Sequence, residues 1–144
     1  MTTVARMLAE KGREVFTTQP DRTLREVIEL LAARGVGAVV VADPSMAVLG
    51  ILSERDVVRV LARYGAAALD DQVSRHMTPK VTTVTRDDTI DHLMQTMTEG
   101  RFRHLPVVED GRLIGIVSIG DVVKRHVSEI DTERQALREY IATP

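Results

Sequence analysis

The chain has no cysteine and no tryptophan, and only two Phe and two Tyr among its 144 residues. Without cysteine there is no disulfide, no thiolate nucleophile and no Cys-based metal site. With so few rings, the core must be assembled from Val, Leu, Ile, Ala and Met. No apolar run approaches the roughly 18 residues of a membrane-spanning helix. The N-terminus, Met1-Thr2-Thr3-Val4-Ala5-Arg6, lacks the charged-then-apolar pattern of a secretory signal. A cytoplasmic chain with no membrane contact is the expectation. Charge of one sign is also lacking: 19 Lys and Arg against 21 Asp and Glu give a net charge of −2. A nucleic-acid binder would usually show a basic stripe, so DNA is not an expected partner.

What the chain does contain, it contains twice. Gly50-Ile51-Leu52-Ser53-Glu54-Arg55-Asp56-Val57-Val58 recurs as Gly115-Ile116-Val117-Ser118-Ile119-Gly120-Asp121-Val122-Val123. Upstream, Asp21-Arg22-Thr23-Leu24 recurs as Asp87-Asp88-Thr89-Ile90, and Val40-Val41-Ala42-Asp43 as Val107-Val108-Glu109-Asp110. The spacing drifts by a residue or two only in the connecting loops, as it does when two copies of one supersecondary unit diverge.

Each copy reads as strand, helix, strand, strand, helix. In copy one, Val15 to Thr17 is a short strand. Thr23 is placed to cap a helix whose stripe is Leu24, Val27, Ile28 and Leu31, at i, i+3, i+4 and i+7. Gly35 and Gly37 end that helix. Ala38 to Val41 and Val48 to Leu52 are strands around the turn Asp43-Pro44-Ser45, and a second helix starts at Ser53. Copy two repeats this with a short strand at Val81 to Val84 and the stripe Ile90, Leu93, Met94 and Met97. Strands His104 to Val108 and Leu113 to Val117 follow, then a helix from about Ile119. The strand pairs are nearly continuous apolar runs, so burial on both faces is expected. Val4 to Ala9 and Val73 to Met77 read as short lead-in helices, and Ile130 to Ile141 as an extra C-terminal helix. The fold class is α+β, of an α/β-like kind: tandem β-α-β-β-α repeats over 3–64 and 73–128, a linker at 65–72 and a C-terminal helix within 129–144.

The duplicated unit, with Gly-apolar-apolar-Ser-x-x-Asp closing each copy, resembles the CBS domain, named for cystathionine β-synthase. Met77-Thr78-Pro79, Arg103-His104-Leu105-Pro106-Val107-Val108 and Leu113-Ile114-Gly115-Ile116-Val117-Ser118 are phrases typical of it. The chain looks like a stand-alone bacterial CBS pair, or Bateman module. The resemblance implies pseudo-twofold symmetry, two clefts between the copies and a homodimer built through the pairs. It implies a regulatory module with no chemistry of its own, whose clefts hold an adenosine-containing ligand. AMP or NAD is favoured, with ADP, ATP or S-adenosylmethionine also known in the family.

The resemblance places the Ser and Asp of each motif against ribose and phosphate: Ser53 and Asp56 in one cleft, Ser118 and Asp121 in the other. The chemistry is sensible, because a carboxylate accepts strong hydrogen bonds from both ribose hydroxyls and a helix start favours phosphate. Ser-x-x-Asp at a helix start is equally close to a capping box, and one Ser-Asp pair can do both. The motifs differ. Arg55 suits a phosphate by charge and forked geometry; Gly120 lets a backbone approach a ligand, or has simply drifted. Arg103 and His104 open the central strand of copy two, where copy one has Val36 and Gly37. Family precedent lets them join Arg55 at the Ser53–Asp56 cleft, the alternative being a surface Arg and an interior His. Gly37, Ala38 and Phe102 fit against a purine or are core. The backbone around Thr17, Thr18, Thr82 and Thr83 is where relatives meet adenine.

Two readings compete. One is a nucleotide sensor signalling to a separate effector protein; the other is a ligand-free dimerisation or docking module whose motifs are only caps. An enzyme is not expected, since no nucleophile-base-orienter set, HExxH-like pair or P-loop is present.

Overall fold

The structure, a computed structural model, describes residues 2–12 and 14–142. The N-terminal lead-in is helix α1 (Val4–Lys11). Copy one comprises β1 (Thr17–Thr18), α2 (Leu24–Arg34), β2 (Ala38–Ala42), β3 (Val48–Ser53) and α3 (Glu54–Tyr64). A 3-10 turn at Ala66–Asp70 and the short helix α4 (Val73–His76) lead into copy two. That copy comprises α5 (Ile90–Gly100), β4 (His104–Glu109), β5 (Arg112–Ser118) and α6 (Ile119–Ala142). The tandem mixed architecture is therefore as expected. Among the described residues no helix is long and apolar enough to cross a membrane.

Local chemistry explains the helix ends. The Thr23 and Thr89 hydroxyls accept from the backbone N–H of Glu26 and His92, each at 3.2 Å. Each satisfies one of the donors a helix start leaves open. Gly35 closes α2 in the left-handed region at φ 61°, and Arg101 closes α5 there at φ 56°. A glycine takes that conformation at no steric cost, whereas an arginine is strained.

In copy one, β1 runs parallel to β2, and β2 antiparallel to β3; β2 is buried along its whole length. Copy two keeps only the antiparallel pair β4–β5. The expected strand at 81–84 shrinks to one parallel bridge between Val84 and Val107. The reason is Pro106. In copy one the Val40 N–H donates to the Phe16 carbonyl at 3.2 Å, which fastens the first strand. Val40 lies opposite Ile51, as Pro106 lies opposite Ile116. Proline has no N–H to give. The first strand of copy one is also shifted, from 15–17 to Thr17–Thr18.

The same register corrects the pairing of positions. Ala38 faces Ser53 as His104 faces Ser118. Glu54 N–H donates to the Gly37 carbonyl at 2.9 Å, as Ile119 N–H does to the Arg103 carbonyl at 2.8 Å. The counterparts of Arg103 and His104 are therefore Gly37 and Ala38, not Val36 and Gly37. A second correction concerns the C-terminus. Two helices were expected from 119 and from 130; α6 is a single helix of 24 residues. No glycine or proline lies between Ile119 and Ile130 except Gly120 in the first turn, so nothing stops it.

The two cores exchange their lead-in segments. Val4, Met7 and Leu8 of α1 pack with Ile90, Leu93, Leu105 and Val117 of copy two. Val73 of α4 packs with Leu24, Val39 and Leu52 of copy one. Backbone bonds seal both exchanges: Val4 N–H to Asp88 O at 2.8 Å and Val73 N–H to Arg22 O at 2.7 Å. Two equivalent glycines make the room. A Cβ on Gly115 would lie 2.9 Å from Leu8 Cδ2, and one on Gly50 would lie 2.9 Å from the Thr78 carbonyl oxygen.

Candidate functional site

Between the copies lie two clefts, of about 580 Å³ and 660 Å³. Both fall in the size range of small-molecule sites. The first is lined by Gly37, Ser53, Arg55, Asp56, Phe102, Arg103 and His104 among others. The structure thus gathers the three basic-cluster residues with the first Ser-x-x-Asp motif.

The motif itself is built at the β3–α3 junction. The Asp56 N–H donates to Ser53 Oγ at 3.2 Å, and Ser53 N–H donates to Asp56 Oδ2 at 2.9 Å. This is a complete capping box. It does not exhaust the carboxylate. Oδ2 carries the cap, while the nearest cation to Oδ1 is the Arg59 guanidinium at 4.0 Å. Capping fixes the carboxylate's direction and leaves Oδ1 free of hydrogen bonds among the described residues, on a side chain that lines the cleft.

Three further cations line this cleft that the sequence reading did not single out: Arg59, Lys80 and Arg101. With Arg55 and Arg103 they set five cations against two acids, Glu54 and Asp56. Arg59 was legible, one helical turn beyond Asp56. Lys80 follows Met77-Thr78-Pro79 in a segment without regular structure, and carries no local signal. Arg101 becomes informative only against the counterpart Gly35: a cation holds a backbone conformation that a glycine holds in copy one. The Phe102 ring lies over Gly100, where an added Cβ would be 2.1 Å from the ring carbon Cε2. Phe102 lines the same cleft and packs in part against the core of copy two.

The second cleft is lined by Gly37, Ala38, His104 and Ser118, with Lys11, Phe16 and Arg34. Of the second motif Ser118 lines this cleft and Asp121 lines neither; the cap is the same, with Ser118 N–H donating to Asp121 Oδ2 at 2.8 Å and Asp121 N–H donating to Ser118 Oγ at 3.2 Å. Here the resemblance between the clefts ends. The Lys11 ammonium, at the end of α1, donates to Asp121 Oδ2 and to the Ile116 carbonyl at 2.8 Å. The exchange of lead-in helices therefore delivers a cation onto the second carboxylate. Burial acts to raise the Asp121 pKa, but Lys11 and the Ser118 N–H and hydroxyl outweigh it and hold the carboxyl below its ordinary 3.8.

His104 lines both clefts, and its Nε2 would lie 3.3 Å from a Cβ on Gly37. Burial lowers its pKa below the ordinary 6.5, Lys11 and Arg103 add to this, and Glu54 and Asp121 offset it in part. His104 is accordingly neutral at pH 7. The unfolded chain binds the proton at higher pH than the folded one, so stability falls as pH drops below about 6.5 through the folded pKa. Asp121 adds to the acid loss only below about 3.8. The melting temperature of His104→Gln should therefore fall less between pH 7 and pH 5.5 than that of the parent. Parallel melting curves against pH would refute the assignment.

The remaining expected residues fall elsewhere. Thr17 and Thr18 form β1, and neither they nor Thr83 line either cleft; their neighbours Phe16 and Thr82 do. Gly120 is exposed and lines neither cleft.

The CBS-domain family model matches residues 9–63 and 72–128. The mitochondrial CBS domain-containing protein CBSX3 of Arabidopsis thaliana is 36% identical over 148 aligned residues, spanning 97% of this chain and 72% of that one. A CBS-domain containing protein of Agrobacterium tumefaciens superposes with a TM-score of 0.83 at 50% identity, covering 87% of this chain and 99% of that one. A CBS domain protein of Pyrobaculum aerophilum, complexed with AMP, superposes with a TM-score of 0.74 at 27% identity, covering 83% and 89%.

Proposed function

Since the chain belongs to the CBS-domain family and carries two copies of the domain, we propose that it is a regulatory module whose first cleft binds an anionic adenosine nucleotide. Related CBS pairs hold adenine-containing ligands, AMP in the Pyrobaculum aerophilum protein. The observation that carries the reading here is the first cleft itself: an oriented carboxylate oxygen of Asp56 beside five cations and the Phe102 ring. Asp56 accepts from the ribose hydroxyls, the arginines and Lys80 receive phosphate, and Phe102 offers a face to the base. The excess of cations favours AMP, ADP, ATP or NAD over S-adenosylmethionine, which carries a sulfonium charge of its own. The module works as a homodimer and passes the signal to a separate effector protein.

Melting the nucleotide-stripped protein with each of these ligands tests the reading. At about 100 times Kd one site adds about 2.7 kcal/mol. A flat panel from folded, stripped protein would favour the docking module instead, the reading that the two complete capping boxes support.

At the second motif Lys11 neutralises the Asp121 carboxylate through its capping oxygen Oδ2, which weakens it as an acceptor for a ribose hydroxyl. We expect one nucleotide per chain by calorimetric titration, and a second, weaker site in Lys11→Ala. Two equal sites in the parent protein would show that Lys11 is no barrier.

A further inference from the structure

Among the described residues, nothing packs against the projecting end of α6. The helix is about 36 Å long at 1.5 Å per residue, and only its first half touches the body. Val122 is buried there, and Arg125 donates to Glu10 at 2.9 Å and to the Thr2 hydroxyl at 3.2 Å. Thr2 in turn donates to Glu129. From Asp131 to Ala142 every residue is exposed. A free helix of that length is marginal in water, and this one also exposes Leu137 at 59% and Ile141 at 74%.

The exposed apolar residues are not scattered. Val123, Val127, Ile130, Leu137 and Ile141 follow the alternating four-and-three spacing of a heptad seam, with Arg134 filling the remaining position. The seam lies roughly a quarter turn or more from the face of Val122, Arg125 and Glu129, at 100° per residue. Along it Val123 and Val127 are each 51% exposed and Ile130 is 37% exposed.

We infer that α6 pairs with α6 of a second copy as a short parallel two-stranded coiled coil along this seam. The inference rests on the homodimer in the proposed function and says where its contact lies. Charge decides the partner and the direction. In a parallel pair, flanking positions five residues apart meet across the interface. Glu133 then meets the partner's Arg138, and His126 meets the partner's Asp131. A centred antiparallel pair would instead bring Glu133 against the partner's Glu133, Asp131 against the partner's Asp131, and Lys124 against the partner's Arg138. Among the described residues, the side chains of Asp131, Glu133, Arg134 and Arg138 make no ion pair or hydrogen bond within the chain, and so are available. Arg134 lays its stem along the seam and carries its guanidinium out toward the partner's Glu133. One polar residue at such a position fixes register and strand number at some cost in stability.

The cysteine-free chain makes the test clean. In the full-length protein, Leu137→Cys is oxidised with glutathione disulfide and compared with Gln135→Cys, which faces away from the seam. A disulfide needs Cα atoms within about 7 Å. Leu137→Cys should give covalent dimer at least about tenfold faster than Gln135→Cys. Adding Glu133→Arg should slow it several-fold, and adding Arg138→Glu as well should restore it. Sedimentation of the parent separates the two ways of failing. A dimer with equal cross-linking at both positions overturns the seam and leaves the homodimer. A monomer overturns both. Cross-linking without rescue by the charge swap overturns the parallel register.

Discussion

Asp56→Ala will remove almost all of the nucleotide-induced rise in melting temperature, and Asp121→Ala will remove little of it. Hydrogen bonds to a charged group contribute about 1.5–3 kcal/mol each, so losing the carboxylate that faces the ribose should weaken binding by about 100-fold. At a ligand concentration of about 100 times the parental Kd, the stabilisation then drops from about 2.7 to about 0.4 kcal/mol. Both variants also lose the carboxylate half of a capping box, while Ser53 and Ser118 still cap their helices. Asp121→Ala loses the Lys11 contact besides, and is thus the stricter control for structural damage. Equal losses of binding in the two variants would show that the clefts are equivalent. Binding that survives Asp56→Ala would take that carboxylate out of the site.

Leu8→Ala will destabilise the protein by about 2–5 kcal/mol, a fall in melting temperature of roughly 6–20 °C for a chain of this size. Leu8 is 2% exposed and belongs to the core of copy two, not to that of the copy that follows it in sequence. Its side chain closes over Gly115, so the vacated space cannot be filled from β5. Amide hydrogen exchange should accelerate first in α5, β4 and β5. A loss below about 1 kcal/mol, or exchange quickened first in α2 and β2, would mean that α1 is not part of that core.

The exchange of lead-in segments was not legible in the sequence, because short helices at Val4 and Val73 carry an apolar stripe but no address. The repeats were legible because each strand and stripe has its own period. The missing first strand of copy two turned on the imino nitrogen of Pro106, whose consequence depends on a register that only the paired strands reveal. The same one-residue error hid the relation between Gly35 and Arg101, and with it a cation of the first cleft. Gathering Arg55, Arg103 and His104 beside Asp56 was anticipated from family resemblance. Burying the second carboxylate under Lys11 was not, because Lys11 reaches it through the exchange.

That exchange also sets an order of assembly. On the ribosome α1 emerges before any of its core partners, which run from Val84 to Val122. At about 5–20 residues per second, completing that partner set takes roughly 6–20 s. Copy one can close as soon as Val73 is out, but it does so with the apolar side of α1 still bare. Helix α1 is covered only once copy two has emerged, so the nascent chain carries a bare apolar face throughout the synthesis of copy one. Holding that segment in a soluble state until copy two appears is the task this topology hands to the chaperones that meet the chain at the exit tunnel.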